Sequence, residues 1–339
     1  MSEVRHDLLL PRWVIIAENR ADRPNEFFMP RTERRDGPCP FCPGNEAQTP
    51  EALLVRRPAD WNGDESQWRV RVVSNLFPAV EGATTGYEFS EVDAPARGSL
   101  FRAAPGDGFH EVIVDTPEHL TSLGEMSDEA AIELFDVYRE RMAAIRATES
   151  VASALVFKNV GSAAGASIEH AHSQILATRQ TAFEMGFAWL LARQYLERER
   201  VCVFCRMVAA ETAAGVRIVE ENEWAVALCP FASRFPYETW IFPRGPMSHF
   251  DTSTDEALAA VAAMTRRVIA RLEKVLDRPA YNFVIHSGPF DSREALHYDW
   301  HVELYPRVTS WAGFEMGSGC YINPVSPERA AERLRAALT

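Results

Sequence analysis

Apolar runs separated by turn-forming residues recur along the chain and predict short strands. Most of these runs are rich in β-branched or aromatic residues, which suit a pleated and partly buried surface. They form two groups, one in each half of the chain. The predicted strands lie at 68–80, 110–116 and 154–160 in the first group, and at 224–230, 239–245 and 282–288 in the second.

Three longer segments have helical periodicity instead. In 127–147 the apolar side chains fall on one helical face. The segment 254–276 is preceded by a capping-box pattern at Ser253 and Glu256. A last helix is predicted at 327–338, near the end of the chain. Two of the helices therefore occupy the same place within their groups of strands.

The order of elements repeats in two halves of the chain. Each half has a C-x-x-C pair, then strands, a histidine, a helix, a further strand and a second histidine. In the first half His119 and His170 are 51 residues apart, and the matching separation in the second half is 52. Agreement in so many features is hard to obtain by chance. We expect two related domains, 1–195 and 196–339.

The charge balance limits the possible partners. Lys and Arg number 35 against 48 Asp and Glu, which gives a net charge of −13. An acidic surface repels polyanions, so a nucleic acid is not the expected partner, whereas a small phosphorylated ligand remains compatible. No apolar run approaches the roughly 18–20 residues of a membrane span, and the N-terminus does not resemble a signal peptide. We expect a cytoplasmic protein.

Four of the six cysteines form the two pairs Cys39–Cys42 and Cys202–Cys205. In a reducing compartment such pairs indicate metal or redox chemistry rather than structural disulfides. The first pair lies among turn-forming residues instead of between a strand and a helix. That context favours a zinc knuckle over a thioredoxin-like motif.

Together with two histidines, each pair supplies four ligands, which complete a tetrahedral zinc site and leave no position open for catalysis. We therefore expect two structural zinc sites per chain. The alternative is that buried cysteines and surface histidines never meet. The predicted ligand sets are Cys39, Cys42, His119 and His170 in the first half, and Cys202, Cys205, His249 and His301 in the second.

The segment 157–176 combines a glycine-rich turn with two closely spaced histidines. Small residues after Asn159 allow the backbone to approach a ligand, and their N–H groups can bind phosphate. Alternation places His170, His172 and Gln174 on one face of a strand. If zinc holds His170, then His172 is fixed two residues later, and a neutral imidazole bonded through one nitrogen can attack phosphorus through the other. Gln174 can hydrogen-bond a phosphoryl oxygen. The alternative is a strand with surface histidines.

The pattern N-x-G-x-x-x-G-A-S-x-x-H-x-H-x-Q, which runs from Asn159 to Gln174, resembles the active-site motif of the galactose-1-phosphate uridylyltransferases, a family of the histidine-triad superfamily. The resemblance covers most of the chain. It implies an α+β fold with two tandem histidine-triad-like domains, each an antiparallel sheet with flanking helices, and a homodimer. Further similar segments are ENRADRP (18–24), CPFCPGN (39–45), SNLFPAVE (74–81) and TPEH (116–119).

By this resemblance the protein transfers a uridylyl group from a nucleotide sugar to a sugar 1-phosphate in galactose metabolism, by ping-pong kinetics. His172 becomes a covalent nucleotidyl-histidine, and Gln174 contacts the transferred phosphoryl group. The first ligand set matches the family's zinc site. Other positions that match nucleotide or phosphate contacts are Arg20, Arg23, Asn75, Asn159, Gly165 and Ser167.

The chain departs from the family pattern at several positions. Ala171 stands where many members have proline between the histidines. The second cysteine pair and the segment 313–335 resemble a branch that includes ADP-glucose phosphorylases, so the base and the acceptor, a sugar phosphate or phosphate, stay open. Aligning His301 with His170 puts Glu303 at the nucleophile position, and we therefore expect the second half to be catalytically empty. The segment 313–323 is a candidate for a partner subunit's sugar pocket.

Two other functions compete with this interpretation. A histidine-triad hydrolase has a third histidine, which protonates a poor leaving group, where this chain has Gln174. A glutamine cannot do so, which favours transfer from a donor whose leaving group is already good. A non-catalytic zinc-binding module would also contain two C-x-x-C pairs, but the phosphate-binding turn argues against it.

Overall fold

The computed structural model describes residues 2–20, 38–82, 90–91, 102–292 and 295–337. Its strands, in chain order, are β1 (Glu3–His6), β2 (Trp13–Ile16), β3 (Ala52–Arg56), β4 (Val70–Ser74), β5 (Ser90–Glu91), β6 (Arg102–Ala103), β7 (Gly108–Val114), β8 (Ser153–Val160), β9 (His172–Thr178), β10 (Ile218–Glu221), β11 (Ala225–Leu228), β12 (Thr239–Pro243), β13 (Tyr281–His286), β14 (His301–Pro306) and β15 (Tyr321–Asn323). Its helices are α1 (Asp128–Arg146), α2 (Phe183–Glu199), α3 (Val203–Ala214), α4 (Asp255–Leu276), α5 (Gly313–Ser318) and α6 (Pro327–Ala336).

Ten strands form one antiparallel sheet in the order β10-β11-β12-β14-β13-β8-β9-β7-β4-β3. The central pair is β13 and β8, in which Asn282 lies opposite Asn159. Outward from this pair, β8, β9, β7, β4 and β3 on one side correspond in order to β13, β14, β12, β11 and β10 on the other. The fold is therefore α+β, with two similar antiparallel halves and flanking helices, as predicted. The division at residues 195 and 196 remains a proposal.

The longest helices lie where the periodicity predicts them. Helix α1 connects β7 to β8, α4 connects the counterpart strands β12 and β13, and the two helices pack on each other. Their apolar faces join the largest core cluster, which includes Phe135, Tyr138 and Ile269. The N-cap of α4 is Thr254, whose side chain accepts from the Ala257 N–H, and not Ser253 as the capping-box pattern predicts. Among the described residues, no helix combines the length and apolar character that a membrane crossing requires.

A smaller sheet joins the two ends of the chain. Strand β2 pairs antiparallel with β1 and parallel with β15. The guanidinium of Arg5, a residue of β1, contacts Glu328 at the start of α6 at 3.0 Å. Because the β2–β15 pairing and the contact of Arg5 with Glu328 join residues about three hundred positions apart in sequence, no local pattern indicates them.

Candidate active site and metal centres

Cys39, Cys42, His119 and His170 meet beside the start of β9, and their ligand atoms all lie within 4.8 Å of one another. Cys42 Sγ is 3.3 Å from His119 Nδ1 and 3.6 Å from His170 Nδ1, and Cys39 Sγ is 3.7 Å from His170 Nδ1. A tetrahedral zinc ion at about 2.3 Å from sulfur and about 2.1 Å from nitrogen separates such atoms by roughly 3.5 Å. The four residues therefore fit zinc.

Neighbouring groups orient these ligands. His170 Nε2 lies 2.8 Å from Thr116 O, and because a carbonyl only accepts, this nitrogen carries the proton. Nδ1 then presents its lone pair to the cysteines, which is the form that binds a metal. The Phe41 N–H donates to Cys39 Sγ at 3.4 Å, and the Phe41 ring lies 5.3 Å from that of His172. The cysteine loop thus packs directly against the proposed nucleophile.

In the second half, the structure groups Cys202 and Cys205 with Asp299. Asp299 Oδ2 is 3.7 Å from Cys202 Sγ and 3.5 Å from Cys205 Sγ, while Oδ1 accepts from the Met247 N–H at 3.2 Å. Burial raises the pKa of Asp299 to about 6. The two thiols and the Asp299 carboxyl are anions when ionised, and they converge below the surface. This arrangement suits a cation. The sequence does not indicate Asp299 as a ligand, because the predicted sets contain only cysteines and histidines.

The structure does not place His249 or His301 among these ligand atoms, which corrects the predicted second set. His249 Nε2 lies 3.1 Å from both Pro289 O and Ser292 Oγ. His301 Nδ1 lies 3.0 Å from Asp299 O, and its Nε2 lies 3.2 Å from Glu303 Oε1. Both nitrogens of His301 therefore face other groups.

The strand register explains the correction. Strand β9 begins at His172 and β14 begins at His301, and these two strands occupy equivalent places in the sheet. His301 therefore corresponds to His172, Asp299 to His170 and Glu303 to Gln174. Matching the halves by histidine identity shifts the alignment by two residues. Glu303 consequently does not stand at the nucleophile position.

His172 is buried, and its Nδ1 lies 2.8 Å from His170 O. Because the carbonyl can only accept, Nδ1 carries the proton. Burial, and next the charge of Lys158, lower the pKa of His172, so the imidazole is neutral near pH 7. The lone pair is then on Nε2, for which the described residues offer no hydrogen-bond partner. This is the form of histidine that a nucleophile requires.

A buried ionic network lies behind the His172 strand. The Lys158 ammonium, which is fully buried, donates to Asp115 Oδ2 and, at 3.1 Å, to His172 O. Ser173 Oγ donates to the same Asp115 oxygen at 3.2 Å, and Tyr138 OH contacts Ser173 Oγ. Lys158 thus holds the backbone carbonyl of His172, and Asp115 and Tyr138 hold the side chain of the next residue, Ser173. Lys158 looks like a surface lysine in the sequence, and only the sheet pairing shows that it is internal.

The glycine-rich turn follows β8. Gly161 and Gly165 have φ angles of 81° and 89°, which residues with a Cβ rarely adopt. Asn282 in the opposite half donates to Asn159 Oδ1 at 2.7 Å and to Ala164 O at 2.8 Å. With Oδ1 of Asn159 occupied, its amide nitrogen lies on the Gly165 side of the turn, 3.9 Å from where a Cβ on that glycine would be. The second half thus orients a predicted phosphate contact, a role that the sequence does not indicate.

Gln174 and Asn75 meet through a residue that the sequence analysis missed, His110 on β7. His110 Nε2 lies 2.8 Å from Gln174 Oε1 and 3.1 Å from the Asn75 amide nitrogen. The only signal available in the sequence is that His110 lies in a predicted strand, near the third zinc ligand. The pairing of β7 with β9 brings it to the site.

Three other residues are predicted to contact the nucleotide or its phosphates: Ser167, Arg20 and Arg23. Ser167 is exposed in the turn before His170. Arg20 is exposed at the end of a single 3-10 turn, and within the described residues it has no contact with His172 or Gln174. Arg23 lies outside the described residues.

Comparison with known proteins places this site in a family. The family model "Galactose-1-phosphate uridyl transferase, N-terminal domain" matches residues 1–182, and a "Domain of unknown function (DUF4921)" matches 109–339. ADP-glucose phosphorylase from Arabidopsis thaliana is 31% identical over 98% of this chain and 92% of its own. Galactose-1-phosphate uridylyltransferase from Thermotoga maritima is 28% identical over 99% of this chain and 98% of its own.

Solved structures agree. The crystal structure of an ADP-glucose phosphorylase from Arabidopsis thaliana with bound ADP-glucose has a TM-score of 0.82 and 28% identity, with coverage of 99% of this chain and 98% of that one. Because its relatives are uridylyltransferases and an ADP-glucose phosphorylase, this chain is a nucleotidyltransferase. It belongs to the galactose-1-phosphate uridylyltransferase family.

Proposed function

We propose that His172 Nε2 attacks a nucleotide sugar at the phosphorus atom that is bonded to the nucleoside. A nitrogen–phosphorus bond forms, the phosphoanhydride bond breaks, and sugar 1-phosphate leaves with the electron pair. An acceptor phosphate oxygen then attacks the nucleotidyl-histidine and releases His172. The observation that carries this proposal is the contact between His172 Nδ1 and His170 O, which leaves the lone pair on Nε2.

The surrounding residues suit the charge that develops on phosphorus. The Gln174 amide can donate to the phosphoryl oxygens. The N–H groups of Ala164, Gly165 and Ala166 already donate to carbonyl oxygens within the turn. In the sugar phosphate the leaving group is already a weak base, so the site needs no acid to protonate it. Gln174 cannot supply a proton, which supports transfer rather than hydrolysis.

The first candidate reaction is uridylyl transfer from UDP-glucose to galactose 1-phosphate, which the motif between Asn159 and Gln174 supports. The second is phosphorolysis or adenylyl transfer with an ADP-sugar, in which inorganic phosphate is the acceptor. The similarity to the Arabidopsis ADP-glucose phosphorylase along nearly the whole chain supports this second candidate. Both reactions use the same histidine and differ in the base and the acceptor.

We also propose that zinc occupies the site of Cys39, Cys42, His119 and His170. A closed four-ligand site has no position for substrate, so the ion would act by holding the chain around His170 in place. A second zinc at Cys202, Cys205 and Asp299 is supported by the convergence of their ligand atoms. The reaction itself needs neither ion as a reactant.

A homodimer is a further proposal. The side chains of Trp311, Phe314 and Met316, in and next to α5, are 50%, 42% and 77% exposed. A second subunit would cover this apolar surface, and the segment 313–323 would then border the partner's sugar pocket. Cysteines grouped as metal ligands rather than as disulfides support a cytoplasmic location.

Labelled donors test the proposed reaction. The protein is incubated with UDP-glucose or ADP-glucose carrying 32P on the phosphate next to the nucleoside, and then denatured and counted. Retention of acid-labile label from one donor, and its release by galactose 1-phosphate or inorganic phosphate, is the expected result. Turnover without any retained label would show that His172 forms no covalent intermediate.

A further inference from the structure

His110 determines which end of the Gln174 amide faces the substrate. The Ala79 N–H points at His110 Nδ1 at 3.0 Å, so Nδ1 must carry the lone pair. In the neutral ring the proton is then on Nε2, which lies 2.8 Å from Gln174 Oε1. The Nε2–H group therefore donates to the carbonyl oxygen of Gln174 and fixes it on the His110 side.

We infer that His110 is a positioning residue, which keeps the Gln174 NH2 group directed at the transferred phosphoryl group. The inference rests on the proposed function. Phosphoryl oxygens only accept hydrogen bonds, so a flipped amide would present its own oxygen to them and repel the developing charge. An unrestrained amide can adopt both orientations.

The surroundings of His110 maintain this arrangement. Asn75 Oδ1 accepts from the Phe77 N–H at 2.9 Å, so the NH2 end of the Asn75 amide faces the ring of His110. Because Nε2 carries the proton, this NH2 group packs against the ring 3.1 Å from Nε2 without a hydrogen bond to it. The backbone of His110 also accepts from the Asn75 N–H at 2.8 Å. The ring is thus held by a loop on one side and contacts Gln174 on the other.

The second half has a parallel arrangement with different chemistry. The pairing of β12 with β14 makes Glu238 the counterpart of His110, as Glu303 is of Gln174. Both carboxylates contact Arg234, at 2.7 Å each. In the second half, Glu238 and Glu303 both bind the Arg234 guanidinium. In the first half, His110 orients the amide of Gln174.

The test measures the single-turnover rate of His172 labelling, with UDP-glucose and ADP-glucose labelled as above. His110→Phe keeps a ring but cannot donate to Gln174, whereas His110→Gln can still donate. We expect His110→Phe to slow maximal labelling by about 10- to 100-fold, somewhat less than loss of an oxyanion donor, with little change in half-saturation. His110→Gln should retain more of the rate. His6→Phe, at an exposed histidine, is the matched control.

A double-mutant cycle separates positioning from a structural role. In Gln174→Ala there is no amide to orient, so adding His110→Phe should cost little more. The same fold loss in both backgrounds, or full activity of His110→Phe, would overturn the inference. Zinc content and Tm show whether each variant folds. If His110→Phe folds poorly, the labelling rate of His110→Gln is compared with that of the wild type instead. A wild-type protein that takes up no label would instead refute the proposed function, and the inference with it.

Discussion

His172 and His301 make the same contact in the two halves of the sheet: each directs Nδ1 onto the carbonyl oxygen two residues earlier, at 2.8 Å and 3.0 Å. They differ at the other nitrogen. Nε2 of His301 lies 3.2 Å from Glu303 Oε1, and the corresponding residue beside His172 is the neutral Gln174. Burial alone would raise the pKa of Glu303, but His286 and Arg234 hold it well below its usual range. The ionised carboxylate of Glu303 therefore contacts Nε2, the nitrogen that His301 would need for attack.

This difference predicts that only His172 carries the nucleotide. His172→Gly should abolish labelling and lower turnover by several orders of magnitude, while zinc and Tm stay near wild-type values. Added imidazole is expected to restore part of the activity by filling the vacated space. His301→Gly should still take up one equivalent of label. Label that disappears in His301→Gly and persists in His172→Gly would reverse the assignment.

The kinetics should be ping-pong, because one histidine holds the nucleotide between the two half-reactions. The first product, sugar 1-phosphate, must leave before the acceptor uses the same site. Initial rates measured with both substrates varied should give parallel double-reciprocal lines. Intersecting lines would indicate a ternary complex and direct transfer. Exchange of labelled sugar 1-phosphate into the nucleotide sugar without an acceptor is an independent check.

Loss of the first zinc should affect both stability and catalysis. His170→Ala removes one of four ligands, and the strand that carries His172 loses its anchor. We expect about one equivalent less zinc, a markedly lower Tm and little labelling, since structural zinc contributes directly to folding. His172→Gly is the matched control, at a histidine two residues away that holds no metal. Normal zinc content in His170→Ala would remove it from the ligand set.

The second metal site gives a test of the corrected ligands. Metal analysis of protein purified without chelators should find about two zinc ions per chain. Asp299→Ala should lower this to about one, because two thiolates alone hold zinc weakly. His249→Ala and His301→Ala should leave the count unchanged, since neither side chain lies among the ligand atoms. A loss of zinc in His249→Ala, with Asp299→Ala unaffected, would restore the ligand set predicted from the sequence.

Features that depend on residues close in sequence, or on strong periodicity, could be predicted from the sequence. The grouping of Cys39 and Cys42 with two histidines could be predicted because cysteine spacing and the order of elements define it. Asp299 could not, because a carboxylate carries no distinctive spacing and the register that equates it with His170 is a property of strand pairing. His110 and Asn282 act from neighbouring strands, and a one-dimensional pattern does not show which strands are neighbours.

The buried pair of Lys158 and Asp115 gives the last prediction. Both side chains are fully buried, so Lys158→Met leaves an uncompensated carboxylate in the core and should lower the free energy of unfolding by about 3–5 kcal/mol. Lys158→Met combined with Asp115→Asn removes both charges and should be less destabilising than Lys158→Met alone. Urea unfolding of the two variants measures the difference.

Arg193→Met is the matched control, because Arg193 and its partner Glu197 are 65% and 60% exposed and such pairs contribute at most about 1 kcal/mol. A double variant as unstable as the sum of its two single variants would mean that the pair is not coupled. The same samples report on catalysis, since Lys158 also donates to His172 O. Below its unfolding transition, Lys158→Met should label more slowly than wild type, because the backbone that carries the nucleophile loses this donor.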